Sequence, residues 1–239
     1  MPLAMWAVPA LVTALIWIAL PTRTKHQPRS FRSPSIWGSL ESWLLAGFFS
    51  ITVLVYYSVL TWLSPLYIDA GWTGEDAAAI LSFFAIAQLP GTLVFPWLAG
   101  RRGSYGPWLV ITIALSSGGL VLAAMSPHVA PWLIAGMLGI GTGGLFPLCL
   151  ALPVASAPDS QTATRLSAMA FALGYGTGAF GPYVIGALRD RTGGFGMPMT
   201  VLALLGIVQL ALIPRIVPRK DGAGAWRGSD AGAAETSKC

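Results

Sequence analysis

The sequence predicts an all-α integral membrane protein with seven transmembrane helices. Only 10% of its 239 residues are charged and 55% are hydrophobic, whereas a soluble domain carries about 25% charged residues. The mean hydropathy is +0.69. One helical crossing takes about 20 apolar residues, and the chain contains long stretches without Lys, Arg, Asp or Glu. The longest stretch could hold two crossings and each of the others one. These stretches are 1–22, 42–68, 77–100, 103–158, 166–188 and 192–214.

The first predicted span covers residues 2–20. A cleaved signal peptide is the alternative, but such a peptide normally carries positive charge before its apolar run. Here the positive charge follows the apolar run, at Arg23, Lys25, Arg29 and Arg32. We therefore expect a true span, which is followed by a basic cytoplasmic linker over 21–41.

A six-helix bundle is predicted over 42–214. Its spans follow the charge-free stretches, and the 56-residue stretch divides at the polar turn around Pro127. The Gly/Ala-rich, charged segment 215–239 reads as a disordered cytoplasmic tail. The six predicted spans are about 43–68, 77–99, 107–125, 131–155, 165–188 and 195–214.

The distribution of Lys and Arg predicts the orientation of the chain. Twelve of the 14 basic residues lie on one side of this layout, and only Arg189 and Arg191 lie on the other. Cytoplasmic loops carry the excess of positive charge. The prediction is therefore a multi-pass protein of the inner (plasma) membrane, with its N-terminus outside and its C-terminus in the cytoplasm. Because the basic residues sit at span ends, the net charge of +5 indicates a lipid bilayer as partner and no nucleic acid.

No cofactor, metal site or enzymatic constellation is expected. Cys149 and Cys239 read as free thiols, and no Cys/His metal spacing occurs. Gly139, Gly141 and Gly144 match G-x-G-x-x-G, but a dinucleotide site needs that pattern between a strand and a helix. No Lys, Arg, Asp, Glu or His lies deep in a predicted span, where proton relays usually place such a residue.

Glycines at helical spacing predict close helix packing. Small residues let the backbones of membrane helices approach each other. Gly139 and Gly143 form one G-x-x-x-G pair, Gly174 and Gly178 form another, and Gly181 continues the second face. A second pattern is a short internal sequence similarity between WLLAG at 43–47 and WLIAG at 132–136, which lies three spans later. This similarity predicts an inverted 3+3 repeat, as in many secondary transporters.

A set of aromatic and amide side chains is the candidate solute cavity. Tyr56 and Tyr57 lie near the middle of a span, too deep for the interfacial aromatic belt. The alternative is tyrosines packed between helices with their hydroxyls on backbone carbonyls. The cavity candidates are Tyr56, Tyr57, Gln88, Phe146 and Tyr175. Other aromatic residues near span ends read as interfacial belts, namely Trp62, Tyr67, Trp72, Trp97, Tyr105, Trp108 and Trp132.

Several short motifs occur together in the order expected of one family. They are YYSVLTWLSPLYIDAG at 56–71, LP at 89–90, LFPL at 145–148, and GY, GP and GALRDRTG within 174–193. Over about 1–215 the chain resembles the C-terminal half of a major facilitator superfamily permease, in the branch of cyanate and nitroimidazole transporters. The resemblance implies that 2–20 corresponds to the sixth helix and 43–214 to helices seven to twelve. LAGRRG at 98–103 resembles the superfamily's loop motif, except that Gly100 stands where an acidic residue is usual.

The resemblance implies transmembrane transport of a small organic solute by alternating access, without enzymatic activity. It also implies a missing N-terminal six-helix half. Either the chain is a truncated permease, which we expect, or the other half is a second polypeptide. A non-transporting membrane subunit and a membrane-embedded enzyme remain as alternatives.

Overall fold

The computed structural model describes residues 36–217 and Thr13. Apart from Thr13, the predicted span 2–20 lies outside the described residues, as do most of the linker 21–41 and of the tail 215–239. Six α-helices follow one another after a short 3-10 turn at Ile36–Gly38. They are α1 (Leu40–Asp69), α2 (Gly74–Arg102), α3 (Gly106–Met125), α4 (Pro131–Ser156), α5 (Ser160–Thr192) and α6 (Gly196–Ile216).

The helices begin and end where local sequence satisfies their free backbone groups. Thr73 and Asp159 cap the N-termini of α2 and α5, each accepting a hydrogen bond from the backbone N–H three residues later. Gly103 and Gly193 end the same two helices in the left-handed conformation, with φ of 58° and 73°, which glycine adopts without a Cβ clash. These caps extend α2 and α5 beyond the charge-free stretches from which they were predicted.

The all-helical class is confirmed, but the prediction of seven spans is not. Five of the six helices in the described part are long and apolar enough to cross a membrane. The exception is α5, which is long but carries charges at both ends and glycine, threonine and tyrosine in its middle. Glycine and tyrosine add little hydropathy, so length and composition alone do not identify α5 as a span.

The helices are arranged with an internal symmetry. The closest neighbours are α1 with α5, α2 with α4, and α3 with both α4 and α6, while α1 also packs on α6. This pattern is unchanged when α1, α2 and α3 are exchanged for α4, α5 and α6. Such symmetry is what an inverted repeat would produce, and the repeat itself stays a prediction.

The interior consists of two clusters of buried apolar side chains, one toward each end of the helices. One cluster includes Phe48, Leu109 and Leu148, and the other includes Leu63, Phe84 and Leu202. Between them, near the middle of the bundle, lie the aromatic rings and polar side chains described next.

Candidate functional site

Six aromatic rings from three helices meet near the middle of the bundle. Neighbouring ring centroids lie 5.5 to 6.5 Å apart in tilted or edge-on arrangements, which are the favoured geometries of aromatic pairs. This aromatic cluster consists of Phe49, Tyr56 and Tyr57 on α1, Phe146 on α4, and Phe171 and Tyr175 on α5.

Glycines on α5 allow the aromatic rings of α5 to reach those of α1. A Cβ atom at Gly178 would lie 2.5 Å from Val53 Cγ1, and one at Gly174 would collide with the Phe49 ring. The α5 backbone therefore lies directly on side chains of α1. Tyr175 follows Gly174 in sequence, one residue round the helix, so its ring reaches the rings of Phe49 and Tyr57.

Gln88 joins the cluster from α2. Its side chain lies near the Tyr56 hydroxyl, and it is partly buried. The Gln88 backbone is fixed against α4, because a Cβ atom at Gly143 would lie 2.5 Å from the Gln88 carbonyl oxygen and 2.7 Å from its Cα. Gly139 also packs closely on α2, because a Cβ atom built there would lie 2.5 Å from the Phe84 carbonyl oxygen.

A hydrogen bond that the sequence did not suggest joins α2 and α4 next to Gln88. Pro147 has no N–H, so the Gly143 carbonyl four residues earlier lacks its helical donor. The Thr92 hydroxyl donates to this carbonyl oxygen at 3.0 Å and also lies 2.9 Å from the Gln88 carbonyl oxygen. The break in the α4 ladder is thereby compensated from a neighbouring helix, as is usual in membrane helices.

The cluster is open on one side in the described bundle. Tyr57 is 36% exposed and Tyr175 is 44% exposed, whereas Tyr56 and Phe146 are partly buried. All five cavity candidates of the sequence thus lie together, and their role in binding stays a proposal. Phe49 and Phe171 were missed, although Phe171 precedes Tyr175 by four residues, a spacing that places both on one helix face.

A groove adjoins the cluster at Phe171. Its volume is about 380 Å³. It runs between the end of α4 and the first turns of α5, so it extends from the cluster toward one end of the bundle. Its lining is Val154, Ala163, Thr164, Ser167, Ala168 and Phe171.

A buried polar junction ties three helices together beneath the aromatic cluster. The Gln209 side-chain amide donates to the Thr52 hydroxyl at 2.8 Å and to the Phe48 carbonyl oxygen at 3.2 Å. Cys149 Sγ lies 3.4 Å from the Thr52 hydroxyl. Gln209, Thr52 and Cys149 are at most 3% exposed. We assign this junction to packing of α1, α4 and α6, since it has no opening to the surface that would admit a ligand.

An ion pair closes one end of the α1–α5 contact. Arg189 donates to Asp69 at 2.8 Å and lies 3.4 Å from Asp190, and its guanidinium stacks 5.4 Å from the centre of the Phe195 ring. Arg189 was one of two basic residues on the sparsely charged side of the predicted layout. Its charge is compensated within the protein.

The described residues include no group of three or more His, Cys, Asp or Glu that could hold a metal ion. The aromatic cluster instead offers ring faces, phenol hydroxyls and one amide. Such groups bind small solutes by stacking and hydrogen bonding.

Comparison with known proteins identifies relatives that are transporters. An uncharacterised transporter of Bacillus subtilis, YycB, is 31% identical over 210 residues, covering 85% of this chain and 52% of that protein. The cyanate transport protein CynX of Escherichia coli is 26% identical, covering 90% and 56%. The 2-nitroimidazole transporter of Escherichia coli is 26% identical, covering 83% and 51%. The chain spans about half the length of these curated relatives.

The fold has a counterpart among solved structures. The POT family transporter PepTSo superposes with a TM-score of 0.62 at 17% identity, over 77% of this chain and 39% of that one. At this identity the match concerns the fold alone. The family model of the Major Facilitator Superfamily matches residues 1–182, most of the chain. The protein is therefore a multi-pass membrane protein that belongs to the Major Facilitator Superfamily.

Proposed function

We propose that this chain forms the C-terminal six-helix half of a secondary transporter that moves a small organic solute by alternating access. The relatives are transporters of about twice the length covered here. In transporters built from repeats, the solute lies near the bilayer midplane between them. A second six-helix bundle, in the same polypeptide or another, completes the site.

The observation that carries the proposal is the half-exposed aromatic cluster at mid-depth. A phenol hydroxyl facing lipid in the middle of a bilayer would lack hydrogen-bond partners, which is costly. Tyr57 and Tyr175 are nevertheless exposed there, and Tyr56 lies beside the Gln88 amide. A water-filled cavity between two bundles provides the missing partners.

The chemistry of the cluster favours a small unsaturated solute held by stacking and hydrogen bonds, and it gives no electrostatic preference for a charged or a neutral one. Ring faces stack on flat π systems, and the hydroxyl and amide groups orient polar atoms. No Lys, Arg, Asp, Glu or His belongs to the cluster. Two relatives are named for cyanate and 2-nitroimidazole, which are both small and unsaturated, and we propose these as the first solutes to test.

The proposed orientation follows from the basic residues. With 12 of 14 Lys and Arg residues on one side, we place the N-terminus outside, the C-terminus in the cytoplasm and the protein in the inner membrane. The Arg189–Asp69 pair then lies at the outer end of the bundle.

Uptake by cells that produce this chain together with the second six-helix bundle that completes the site tests the proposal. Cells should accumulate labelled 2-nitroimidazole or cyanate faster than cells with an empty vector. Tyr56→Phe and Tyr175→Phe should each raise the apparent KM about fivefold, the effect of losing one hydrogen bond of about 1 kcal/mol. Tyr183→Phe is the matched control, because Tyr183 is a 76% exposed tyrosine of α5 that makes no ring contact with the aromatic cluster.

Two results would contradict the proposal. One is uptake no faster than in vector controls for either solute, with both six-helix bundles present in the membrane. The other is unchanged uptake in both cluster variants at equal membrane level, which would remove the tyrosines from the site. A non-transporting subunit, the main alternative, predicts the first result.

A further inference from the structure

Two adjacent arginines at the end of α2 are held on tryptophan rings. The Arg101 guanidinium lies 5.3 Å from the centre of the Trp97 ring, and that of Arg102 lies 5.3 Å from the centre of the Trp108 ring. Such cation–π contacts fix the plane of the guanidinium. The N–H groups at its rim remain available for a ligand.

Neither arginine forms an ion pair with a carboxylate of the described residues. Arg189 makes an instructive comparison, because it also stacks on an aromatic ring but is bonded to Asp69 and Asp190. In the turn between α2 and α3 no described carboxylate pairs with Arg101 or Arg102 as Asp69 and Asp190 do with Arg189. Gly100 precedes the two arginines, and a Cβ atom there would meet nothing within 4 Å, so the structure leaves open space where an acidic side chain could lie.

An apolar strip leads away from these arginines along α2. Leu93, Trp97 and Arg101 follow one another at four-residue intervals and so lie on one helix face. Leu93 is 71% exposed and Trp97 is 59% exposed. Toward the helix end this face carries first an aliphatic, then an aromatic and finally a cationic side chain. The same order of environments, acyl chain, interface and headgroup, occurs in a lipid leaflet.

We propose that Arg101 and Arg102, with Trp97 and Trp108, bind the phosphate of an anionic phospholipid. Guanidinium groups bind phosphate oxygens in paired hydrogen bonds. In the proposed orientation this turn faces the cytoplasmic leaflet, which is rich in anionic lipid, and basic pockets at that level bind headgroups. The acyl chains lie along the apolar strip of α2. The inference rests on the proposed orientation of the chain but not on which solute is transported.

Lipid binding to the purified full chain in neutral detergent tests the inference. Native mass spectrometry gives apparent Kd values for phosphatidylglycerol and phosphatidylcholine. The chain should prefer phosphatidylglycerol, and Arg101→Gln/Arg102→Gln should raise its Kd about 30-fold, at about 1 kcal/mol for each arginine. Arg215→Gln is the matched control, because Arg215 lies in the last turn of α6 and its described contact is a long hydrogen bond to the Ala211 carbonyl. This variant should change the Kd less than twofold.

Gly100→Asp provides a second variant that keeps both arginines. The new carboxylate has room and should compete for the guanidinium groups, weakening phosphatidylglycerol binding while leaving phosphatidylcholine binding unchanged. Three results would overturn the inference: equal binding of the two lipids by the unaltered chain, unchanged phosphatidylglycerol binding in the double variant, or an equal loss in Arg215→Gln. Competition by inorganic phosphate at concentrations similar to those of the lipid would identify a site for free anions, and would overturn it as well.

Discussion

Replacing Gly143 with alanine should force α2 and α4 apart. The new Cβ atom would lie 2.5 Å from the Gln88 carbonyl oxygen, about 0.9 Å inside the shortest ordinary contact of 3.4 Å. The two nearest atoms, the carbonyl oxygen and the Cα of Gln88, belong to the backbone. Rotation of the Gln88 side chain therefore cannot relieve the clash. Overpacking of this kind costs about 1–3 kcal/mol, and alanine returns at most about 1 kcal/mol of helix propensity. We expect a net loss of about 1–2 kcal/mol in the free energy of unfolding.

The matched control is Gly136→Ala on the same helix. A Cβ atom at Gly136 would meet the Phe83 ring at 3.5 Å, an ordinary contact, so this variant should be as stable as the unaltered protein or slightly more stable. Unfolding by SDS in mixed micelles, followed by circular dichroism, gives both free energies. If Gly143→Ala were as stable as Gly136→Ala, the close α2–α4 approach that positions Gln88 would be refuted.

Two further predictions concern stability. Gln209→Leu should lower the free energy of unfolding by about 1–2 kcal/mol, because it removes two interhelical hydrogen bonds of about 0.6 kcal/mol each and leaves Thr52 without that donor; equal stability in the same SDS titration would contradict the polar junction. Asp159→Ala should destabilise the start of α5 by about 1 kcal/mol and Asp159→Asn much less, since asparagine also caps. Hydrogen bonds from Thr162 lower the pKa of Asp159, so the charged cap stabilises the fold above the ordinary aspartate pKa of about 3.9 and its contribution is lost as pH falls through the lowered value. If Asp159→Ala lowered the free energy of unfolding by the same amount at every pH between about 6 and 3, the charged carboxylate would not be the cap.

Much of the fold could be predicted because charge is segregated along the chain. The helix α4 (Pro131–Ser156) starts at the predicted residue and ends one residue beyond the predicted span 131–155. The helix α5 is longer than its predicted span 165–188, because Asp159 and Gly193 cap it outside the apolar run. Hydropathy cannot register such caps.

The site was partly predictable for a different reason. Tyr56 and Tyr175 stood out because polar side chains are rare at mid-span. Gln209 was missed, since its importance depends on Thr52 and the Phe48 carbonyl, which are distant in sequence and meet only in the packed bundle. The interfacial-belt interpretation was wrong for Tyr67, which is 0% exposed within the chain.

Water access to Tyr175 tests the central claim most directly, because it requires no knowledge of the solute. Tyr175 and Leu204 both lie near the middle of a helix and are 44% and 53% exposed. Each position is replaced by cysteine in a Cys239→Ser background, where the remaining Cys149 is buried. We expect the cysteine of Tyr175→Cys to face the proposed cavity and that of Leu204→Cys to face lipid. A charged thiol reagent reacts with thiolate in water. We predict that it labels Tyr175→Cys in native membranes and leaves Leu204→Cys unmodified. Equally slow labelling of both would mean that the aromatic cluster faces lipid, and would contradict the transporter proposal.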